Sequence, residues 1–280
     1  MMQSIIHTYL RPEKKFPHVW CPGCGNGIIL SAIVRAIHGA EKDRNEVILV
    51  SGIGCSSRAP VYTDFASLHG THGRALAFAT GIKIANPKLT VVVISGDGDG
   101  LAIGGNHFIH TCRRNIDLTL IIFNNNIYGM TGGQYSPTMT LGAYGSTAPY
   151  GNIERPFDIC KLAASAGANF VARATVCQPF LLENYVKKGV QKKGFAVIDA
   201  VTPCPTIYSF FNKTGTGLKM MKAIKEKSIT IQKAQSLPDE EIGDKIVTGI
   251  FTNRDYHEYM AVYKKLMEKA KRSKEDEGPL

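Results

Sequence analysis

Leu89-Thr-Val-Val-Val-Ile-Ser-Gly-Asp-Gly-Asp-Gly100 joins a run of β-branched residues to a turn of alternating glycine and aspartate. A run of this kind is typical of a strand in a parallel sheet that helices cover on both faces. Apolar helices are predicted over residues 73–85 and, after the turn, to about Arg114, and the next buried strand is predicted over residues 118–123. This alternation predicts an α/β protein with a doubly wound, mostly parallel sheet.

The same alternation extends along most of the chain and then weakens. Further helices are predicted over residues 27–37, 157–166 and 179–191, and further strands over 46–50, near 170 and over 195–201. From about Asn212 the chain becomes a lysine-rich arm followed by a charged terminal helix. The sequence therefore predicts an α/β domain over residues 1–211 and a C-terminal extension over 212–280, with a partner-contacting arm and a mobile tail. A loosely packed extension would give the same pattern.

The formal charge of +10 and the hydrophobic fraction of 44% narrow the class of protein. The lysines do not form a compact motif with interleaved aromatic residues, so nucleic-acid binding is not expected. They fit either a solvated helix face or the attraction of an acidic protein partner. The sequence contains no run of eighteen apolar residues, and its first residues lack the features of a secretory signal. We therefore expect a cytoplasmic protein without a membrane segment.

The glycine-rich turn after the first strand carries carboxylates, and it matches neither GxGxxG nor a P-loop lysine motif. Gly96 and Gly98 would let the backbone approach a phosphate, but Asp97 and Asp99 would repel a bare diphosphate. Magnesium removes this conflict, because it takes one or two protein oxygens and fills its other positions with phosphate oxygens. A second oxygen ligand is expected at the end of the next strand, where Asn125 follows Asp97 by 28 residues.

The seven cysteines indicate metal binding or ordinary burial rather than disulfides. Four of them lie in glycine- or proline-rich turns: Cys21 and Cys24 in WCPGCG, Cys55 in SGIGCSSR and Cys204 in VTPCPT. One close pair and two distant cysteines fit a [4Fe–4S] cluster, whose ligands are four thiolates. A zinc site and a thioredoxin-like redox pair at the CxxC motif are the alternatives. The remaining three, Cys112, Cys160 and Cys177, are expected to be buried small hydrophobes.

Two sets of motifs resemble known families. GDG followed after this interval by NN resembles the diphosphate-binding signature of thiamine-diphosphate enzymes. WCPGCG, GIGCSSR and TPCP, together with HGRALAFATGIK, GDGDGLAIGGNH and NNNIYGMTGGQYSPT, resemble the β subunits of 2-oxoacid:ferredoxin oxidoreductases. The resemblance covers roughly residues 16–210 and implies a sheet of the thiamine-diphosphate-binding type.

The resemblance implies cofactor roles for particular residues. Asp97 and Asn125 would bind Mg²⁺ through their side chains and Ile127 through its carbonyl, with Asn124 as an alternative to Asn125. One [4Fe–4S] cluster would be held by Cys21, Cys24, Cys55 and Cys204. The thiamine diphosphate would further contact Gly96, Gly98, Asp99 and Thr131. We expect Thr131 to hydrogen-bond the diphosphate or to close the cofactor loop together with Gln134.

The implied reaction is the coenzyme A-dependent oxidative decarboxylation of a 2-oxoacid to acyl-CoA and CO₂, or its reverse, with electrons passing through the cluster to ferredoxin. The form WCPGCGNG resembles 2-oxoglutarate members more than pyruvate members. Arg58 is expected to bind a substrate carboxylate, with a surface or interface position as the alternative. His72 is expected to contact diphosphate or substrate, with a packing role as its alternative.

The resemblance also implies a partner subunit. Thiamine enzymes need a glutamate that normally comes from a pyrimidine-binding domain, and no such domain is identifiable in this sequence. We therefore expect an α subunit that carries it and an αβ hetero-oligomer, besides ferredoxin, coenzyme A and the 2-oxoacid. Two rival functions stay open: a non-redox thiamine-diphosphate decarboxylase or carboligase, and a non-catalytic metal-binding scaffold. Iron content tests the first rival, and magnesium-dependent binding of thiamine diphosphate tests the second.

Overall fold

The computed structural model describes residues 5–13 and 17–276. Its strands are β1 Val47–Ser51, β2 Ala66–His69, β3 Thr90–Gly96, β4 Thr119–Asn124, β5 Ile127–Tyr128, β6 Gln134–Tyr135, β7 Phe170–Thr175, β8 Ala196–Val201, β9 Ser228–Thr230 and β10 Ile246–Asn253. Its α-helices are α1 Ile5–Thr8, α2 Asn26–Gly39, α3 Ala59–Tyr62, α4 Ala75–Ala85, α5 Gly105–Arg114, α6 Ile159–Ser165, α7 Pro179–Gln191, α8 Ile207–Asn212, α9 Gly217–Lys227, α10 Ile231–Gln235, α11 Asp239–Ile242 and α12 Tyr259–Asp276. Short 3-10 helices span Arg44–Glu46 and Ser56–Arg58, and a π-helix spans Gly98–Ile103.

An eight-stranded sheet organises the described part of the chain, in the order β2-β1-β3-β4-β8-β7-β10-β9. The pairs from β2 through to β7 are parallel, whereas β10 is antiparallel to β7. This topology confirms the predicted α/β fold with a doubly wound, mostly parallel sheet. None of the helices within residues 5–13 and 17–276 combines the length and the hydrophobicity of a membrane-spanning segment.

The two faces of the sheet bury separate hydrophobic cores. In β3, Val92 and Ile94 face one core, and Val91 and Val93 face the other. Helices α2 and α7 cover the first face, and α4, α5 and α6 cover the second. Fully burying a side chain of this size contributes about 1.5–3 kcal/mol relative to leaving it exposed. Because both faces of β3 are covered, its sequence is an uninterrupted apolar run rather than an alternation.

Parallel pairing brings the ends of β1, β3, β4 and β8 to one edge of the sheet. Gly96 at the end of β3 pairs with Phe123, and Asn124 at the end of β4 pairs with Val201. The turns that follow these four strands carry Cys55, Asp97, Asn125 and Cys204. The register therefore places predicted metal ligands from distant parts of the chain at the same edge.

The C-terminal arm takes part in the same sheet. Strand β10 pairs with β7, and β9 pairs with β10. The boundary predicted between residues 211 and 212 stays a prediction, although residues 228–253 supply two strands of the sheet of the preceding domain. The partner-contacting role of the arm also stays a prediction. Part of the predicted mobile tail, residues 277–280, lies outside the described residues.

Candidate functional site

A cavity at the carboxyl edge of the sheet brings the predicted cofactor residues together. The turns that follow β1, β3 and β4 line it. Its lining includes all seven residues predicted to bind thiamine diphosphate or magnesium: Gly96, Asp97, Gly98, Asp99, Asn125, Ile127 and Thr131. Cys55 and His72 also line this cavity, whereas Arg58 does not. The roles of these residues stay predictions, but the fold has collected them in one place.

Asp97 presents a buried carboxylate to this cavity, with only 2% of the residue exposed. Its Oδ2 accepts hydrogen bonds from Ser136 Oγ and Thr138 Oγ1, each at 2.6 Å, and neither partner carries a charge. Burial raises the pKa of this carboxyl, and the two hydroxyls oppose the rise only in part. A cation beside the carboxylate would offset the cost of burying its charge. An oxygen donor that lacks a positive neighbour fits the requirements of Mg²⁺.

The structure distinguishes the asparagines of the turn after β4. Asn124 is 8% exposed, and its Oδ1 lies 3.0 Å from Thr138 Oγ1. Asn125 instead lines the cavity, where its Oδ1 accepts a hydrogen bond from the Ile127 N–H at 3.2 Å. Asn126 adopts the left-handed conformation with φ 66°, which turns the chain between Asn125 and Ile127. Asn125 is therefore better placed than Asn124 to be the side-chain ligand.

Asp99 is buried like Asp97, but its oxygens are already occupied. Its Oδ1 lies 2.5 Å from His72 Nδ1 and accepts the Gly73 N–H at 2.8 Å and the Ile53 N–H at 3.2 Å. Its Oδ2 accepts the Ser95 hydroxyl at 2.6 Å. Asp99 therefore ties three turns together and orients the His72 ring. Because Nδ1 is held by Asp99, Nε2 is the nitrogen of His72 that a cavity ligand would use.

Tyr128 closes one wall of the cavity, a role that its position in the NNNIYG motif did not reveal. Its hydroxyl donates to the Gly98 carbonyl at 2.8 Å, and its ring packs edge-on against His72 with 5.8 Å between centroids. A Cβ on Gly98 would lie 2.4 Å from Tyr128 Cζ, so glycine is required there for this packing. Burial and the charges of Asp97 and Asp99 raise the pKa of Tyr128 to about 12, so its hydroxyl remains a donor.

Ser56 is a second site residue that sequence reasoning missed. It is 3% exposed and lines the cavity next to Cys55, and its Oγ has no hydrogen-bond partner among the described residues. A Cβ on Gly96 would lie 3.4 Å from this oxygen, so the hydroxyl lies beside the turn that carries Asp97. An unsatisfied buried hydroxyl costs roughly 1–3 kcal/mol. A phosphate oxygen in the cavity would satisfy it.

The four predicted cluster ligands lie close enough to influence one another electrostatically. Burial is the main factor that raises the pKa of the Cys24 thiol to about 11, and Cys21, Cys55 and Cys204 each add to the rise. A Cβ on Gly129 would lie 3.5 Å from Cys204 Sγ and 3.9 Å from Cys55 Sγ. Such grouped thiols ionise together only when a metal centre compensates their charge.

The arrangement of these cysteines bears on the kind of metal group that they could hold. Within residues 5–13 and 17–276 no three His, Cys, Asp or Glu side chains converge on a position for one metal ion. Thiolates around one zinc ion would lie about 4 Å apart, since Zn–S bonds measure about 2.3 Å. In a [4Fe–4S] cluster each thiolate binds a different iron, so wider spacing is compatible.

Hydrogen bonds fix the loops that carry these cysteines. Trp20 Nε1 donates to the Cys55 carbonyl at 2.7 Å, and the Thr202 hydroxyl donates to the Cys24 carbonyl.

The other three cysteines lie elsewhere, and their burial differs: Cys112 and Cys160 are buried, whereas Cys177 is half-buried. The expectation of burial is thus confirmed for the first two and only partly met by the third.

Two further predicted residues have surroundings that bear on their roles. Arg58 is half-buried, and its charge acts to lower the pKa of the Cys55 thiol, which burial nevertheless raises. It thus lies beside the predicted cluster. Thr131 is exposed, and its hydroxyl donates to Gln134 Oε1 at 2.5 Å, while Gln134 Nε2 donates to the Thr131 carbonyl at 3.1 Å. These two residues brace the end of the cavity loop against each other.

Comparison with known proteins gives consistent results. Residues 35–200 match the family described as "Thiamine pyrophosphate enzyme, C-terminal TPP binding domain". The 2-oxoglutarate synthase subunit KorB of Methanocaldococcus jannaschii is 53% identical over 263 residues, which cover 94% of this chain and 97% of that protein. The 2-oxoacid:ferredoxin oxidoreductase subunit beta of Saccharolobus solfataricus is 42% identical over 245 residues, covering 83% of this chain and 80% of that one.

A solved structure shares the fold over nearly the whole chain. It is a 2-oxoglutarate:ferredoxin oxidoreductase from Magnetococcus marinus with 2-oxoglutarate, coenzyme A and succinyl-CoA bound, and it superposes with a TM-score of 0.84 at 34% identity. The match covers 96% of this chain and 92% of that one. These matches confirm the predicted fold type and a thiamine-diphosphate-binding domain. The chain belongs to the family of 2-oxoacid:ferredoxin oxidoreductase β subunits, which includes the KorB subunits of 2-oxoglutarate synthases.

Proposed function

We propose that this chain is the thiamine-diphosphate and iron–sulfur subunit of a 2-oxoglutarate:ferredoxin oxidoreductase. The observation that carries the proposal is that Asp97 and Cys55 line one cavity. A carboxylate suited to magnesium and a thiol of the four-cysteine group therefore line the same cavity. A non-redox thiamine enzyme has no need of that second group.

The positions of the predicted residues support an assignment of cofactor roles. Asp97, Asn125 and the Ile127 carbonyl are the oxygen donors we assign to Mg²⁺. Cys21, Cys24, Cys55 and Cys204 are the thiolates we assign to a [4Fe–4S] cluster. Bound thiamine diphosphate would supply the nucleophilic carbon and the electron sink for loss of CO₂ from the 2-oxoacid.

The chain's own residues hold and orient the reactants in this proposal. Asp99 fixes the His72 ring, which leaves Nε2 to contact diphosphate or substrate. Arg58, half-buried beside Cys55, offers a guanidinium for a carboxylate of the 2-oxoacid. Tyr128 holds the backbone of Gly98 through its hydroxyl, so the phosphate-facing turn keeps its shape.

Substrates and partners are inferred from what the similar proteins are named for. The assignment of 2-oxoglutarate and coenzyme A is supported by the KorB relatives and by the ligands of the Magnetococcus structure. The designation of relatives as β subunits supports an αβ hetero-oligomer, whose α subunit would supply the pyrimidine-binding domain and its glutamate. Ferredoxin is the electron acceptor that the family name indicates.

The proposal is tested on the complex of this chain with its partner subunit, purified without oxygen. We expect about four irons per copy of this chain, one thiamine diphosphate, and an EPR signal of a reduced cluster after dithionite treatment. Reduction of methyl viologen should require both 2-oxoglutarate and coenzyme A. Thiamine diphosphate without iron would instead favour a non-redox decarboxylase or carboligase, and zinc without thiamine would overturn the proposal.

Substrate choice is tested separately by an Arg58→Ala variant of the same complex. Loss of the guanidinium should raise the KM for 2-oxoglutarate by about tenfold or more, since hydrogen bonds to charged groups contribute about 1.5–3 kcal/mol. The iron content should stay unchanged. An unchanged KM would remove Arg58 from the substrate site and leave it as a residue beside the cluster.

A further inference from the structure

The predicted cluster ligands differ in how far they reach the surface. Cys21 is exposed, Cys55 is half-buried, and Cys24 and Cys204 are buried. Pro22 and Gly23, which follow Cys21, are exposed as well. The loop of residues 21–23 therefore forms the point at which a cluster held by these cysteines would come nearest to solvent on this chain.

A groove of about 470 Å³ opens beside this loop. Cys21 and Gly23 form one side, and residues of α2, α7 and α9 form the others. Phe180 at the start of α7 is 77% exposed on its border, and Met221 of α9 lies within it. Arg35 of α2 adds a positive charge to the wall and Glu183 of α7 a negative one.

Helix α9 is packed directly against the cysteine loop. A Cβ on Gly217, at the start of α9, would lie 2.9 Å from Gly23 Cα, so the two backbones touch where both residues are glycine. The helix is rich in lysine, and Lys219, Lys222 and Lys225 are all exposed. Because they are spaced three residues apart, they lie along one side of the helix. Glu226 is the acidic residue of α9.

The groove and α9 thus place exposed apolar surface beside exposed lysines, and protein interfaces likewise combine an apolar area with a polar rim. Short-lived redox complexes bury small areas, and complementary charge raises their association rate rather than their affinity. We propose that the groove beside Cys21, together with the lysine side of α9, is the docking site for an acidic one-electron iron–sulfur carrier. The inference rests on the proposed function. It gives the lysine-rich arm a role in binding the carrier.

The electron balance requires the carrier to dissociate from the site after each electron transfer as well as to bind to it. Conversion of one 2-oxoacid and one coenzyme A thiol to acyl-CoA and CO₂ releases two electrons and one proton. Two molecules of an oxidised one-electron carrier must accept those electrons, each becoming reduced. A site that relies on surface charge allows the first carrier molecule to be replaced rapidly by the second, because such interactions are screened by salt and short-lived.

The test compares two acceptors in the αβ complex. An acidic low-potential ferredoxin and the small cation methyl viologen are reduced in parallel by wild type and by the double variant Lys219→Glu/Lys222→Glu. We expect the ratio of ferredoxin kcat/KM to viologen rate to fall by about tenfold or more. The dependence of the ferredoxin rate on salt concentration should weaken in the same variant.

The matched control is Lys264→Glu/Lys265→Glu in α12, which carries the same charge change. These lysines are exposed, and α12 follows a segment that binds Asn115 and Asn169, beside the opposite ends of the strands. The control should leave the ratio of the two rates unchanged. An equal fall in both double variants would reduce the effect to overall charge and overturn the docking site.

Two further outcomes are decisive. If the α9 variant no longer co-purifies with the partner subunit, the groove is a subunit contact and the docking inference is wrong. If wild type reduces neither acceptor, the proposed function itself fails. If the complex reduces viologen but its rate with ferredoxin does not depend on the α9 charges, the docking inference is wrong and the proposed function is unaffected.

Discussion

Asp97 and Asp99 stand two residues apart in one turn, yet their surroundings give them different tasks. Asp97 accepts hydrogen bonds from two neutral hydroxyls, and burial raises the pKa of its carboxyl. Asp99 has His72, two backbone N–H groups and a serine hydroxyl around its oxygens. In the described part of the chain the first carboxylate has only neutral hydrogen-bond donors, whereas the oxygens of the second are fully engaged by the fold. The donors around a buried carboxylate, rather than its place in a motif, decide whether it is left for a metal.

The largest effect is expected for Asp97→Asn. If Asp97 binds magnesium as we propose, its loss should weaken binding of thiamine diphosphate in the presence of Mg²⁺ by more than about 100-fold, since even residues that only support metal ligands contribute 10- to 100-fold. Isothermal titration of the αβ complex with thiamine diphosphate measures this loss. Near-wild-type affinity would show that Asp97 is not a ligand and would break the comparison.

Although Asp97→Asn should weaken cofactor binding, it should not lower the stability of the cofactor-free protein. Because the folded-state pKa of Asp97 is raised, the folded protein binds a proton more tightly than the unfolded one, and stability falls as pH rises from the unfolded pKa through the folded pKa. Asp97→Asn removes this loss, so without magnesium its melting temperature at neutral pH should equal or exceed that of wild type. Melting curves across pH check the sign, and a strongly destabilised variant would contradict it.

Asp99→Asn is the matched change on the other side of the comparison. An amide supplies one acceptor oxygen where the fold uses two, so at least one buried donor loses its partner. We expect the free energy of unfolding to fall by about 2–3 kcal/mol, and thiamine-diphosphate affinity to fall less than in Asp97→Asn. Urea unfolding of both variants gives the comparison. Equal stability of the two variants would show that Asp99 is not the carboxylate that joins the turns.

The fold was largely predictable because its central strands are buried on both faces. The run at β3 is apolar without interruption, and its end coincides with the glycine turn, so both strand and site could be recognised locally. Strand β10 was not predicted: half of its residues are only partly buried, it contains Gly249, and its pairing with β7 joins residues far apart in sequence. Local pattern carries little information about a strand of this kind.

The site was predictable to the extent that its residues lie in glycine-rich turns at strand ends. Asp97, Asn125 and Cys55 could be placed because parallel strands end at the same edge. Ser136 and Thr138 could not, because they reach Asp97 from a loop about forty residues away in sequence, and their residue types are common in loops. The difference between Asp97 and Asp99 was likewise hidden, since it arises only from tertiary contacts.

Ser56→Ala tests the role of a hydroxyl that lies beside the turn of Asp97. If the unpartnered Ser56 hydroxyl binds the diphosphate, its loss should weaken thiamine-diphosphate affinity by about tenfold, because hydrogen bonds to charged groups contribute about 1.5–3 kcal/mol. Without the cofactor the variant should be no less stable than wild type. Ser57→Ala is the control, because Ser57 is also buried and unpartnered among the described residues but does not line the cavity. Equal affinities of the two variants would remove Ser56 from the site.

The smallest effect is expected for Tyr128→Phe, which tests whether the two halves of the turn are coupled. The Tyr128 ring packs on the histidine that Asp99 holds, and its hydroxyl anchors Gly98, the residue between the two aspartates. Removing the hydroxyl leaves the ring contact and frees the Gly98 carbonyl, which should weaken thiamine-diphosphate affinity by about fivefold, the size of one neutral hydrogen bond. Tyr135→Phe, which loses a hydrogen bond to Glu154 outside the cavity lining, is the control. If Tyr128→Phe binds as tightly as that control, the π-helical turn holds Asp97 in place without Tyr128, and the two aspartates act independently.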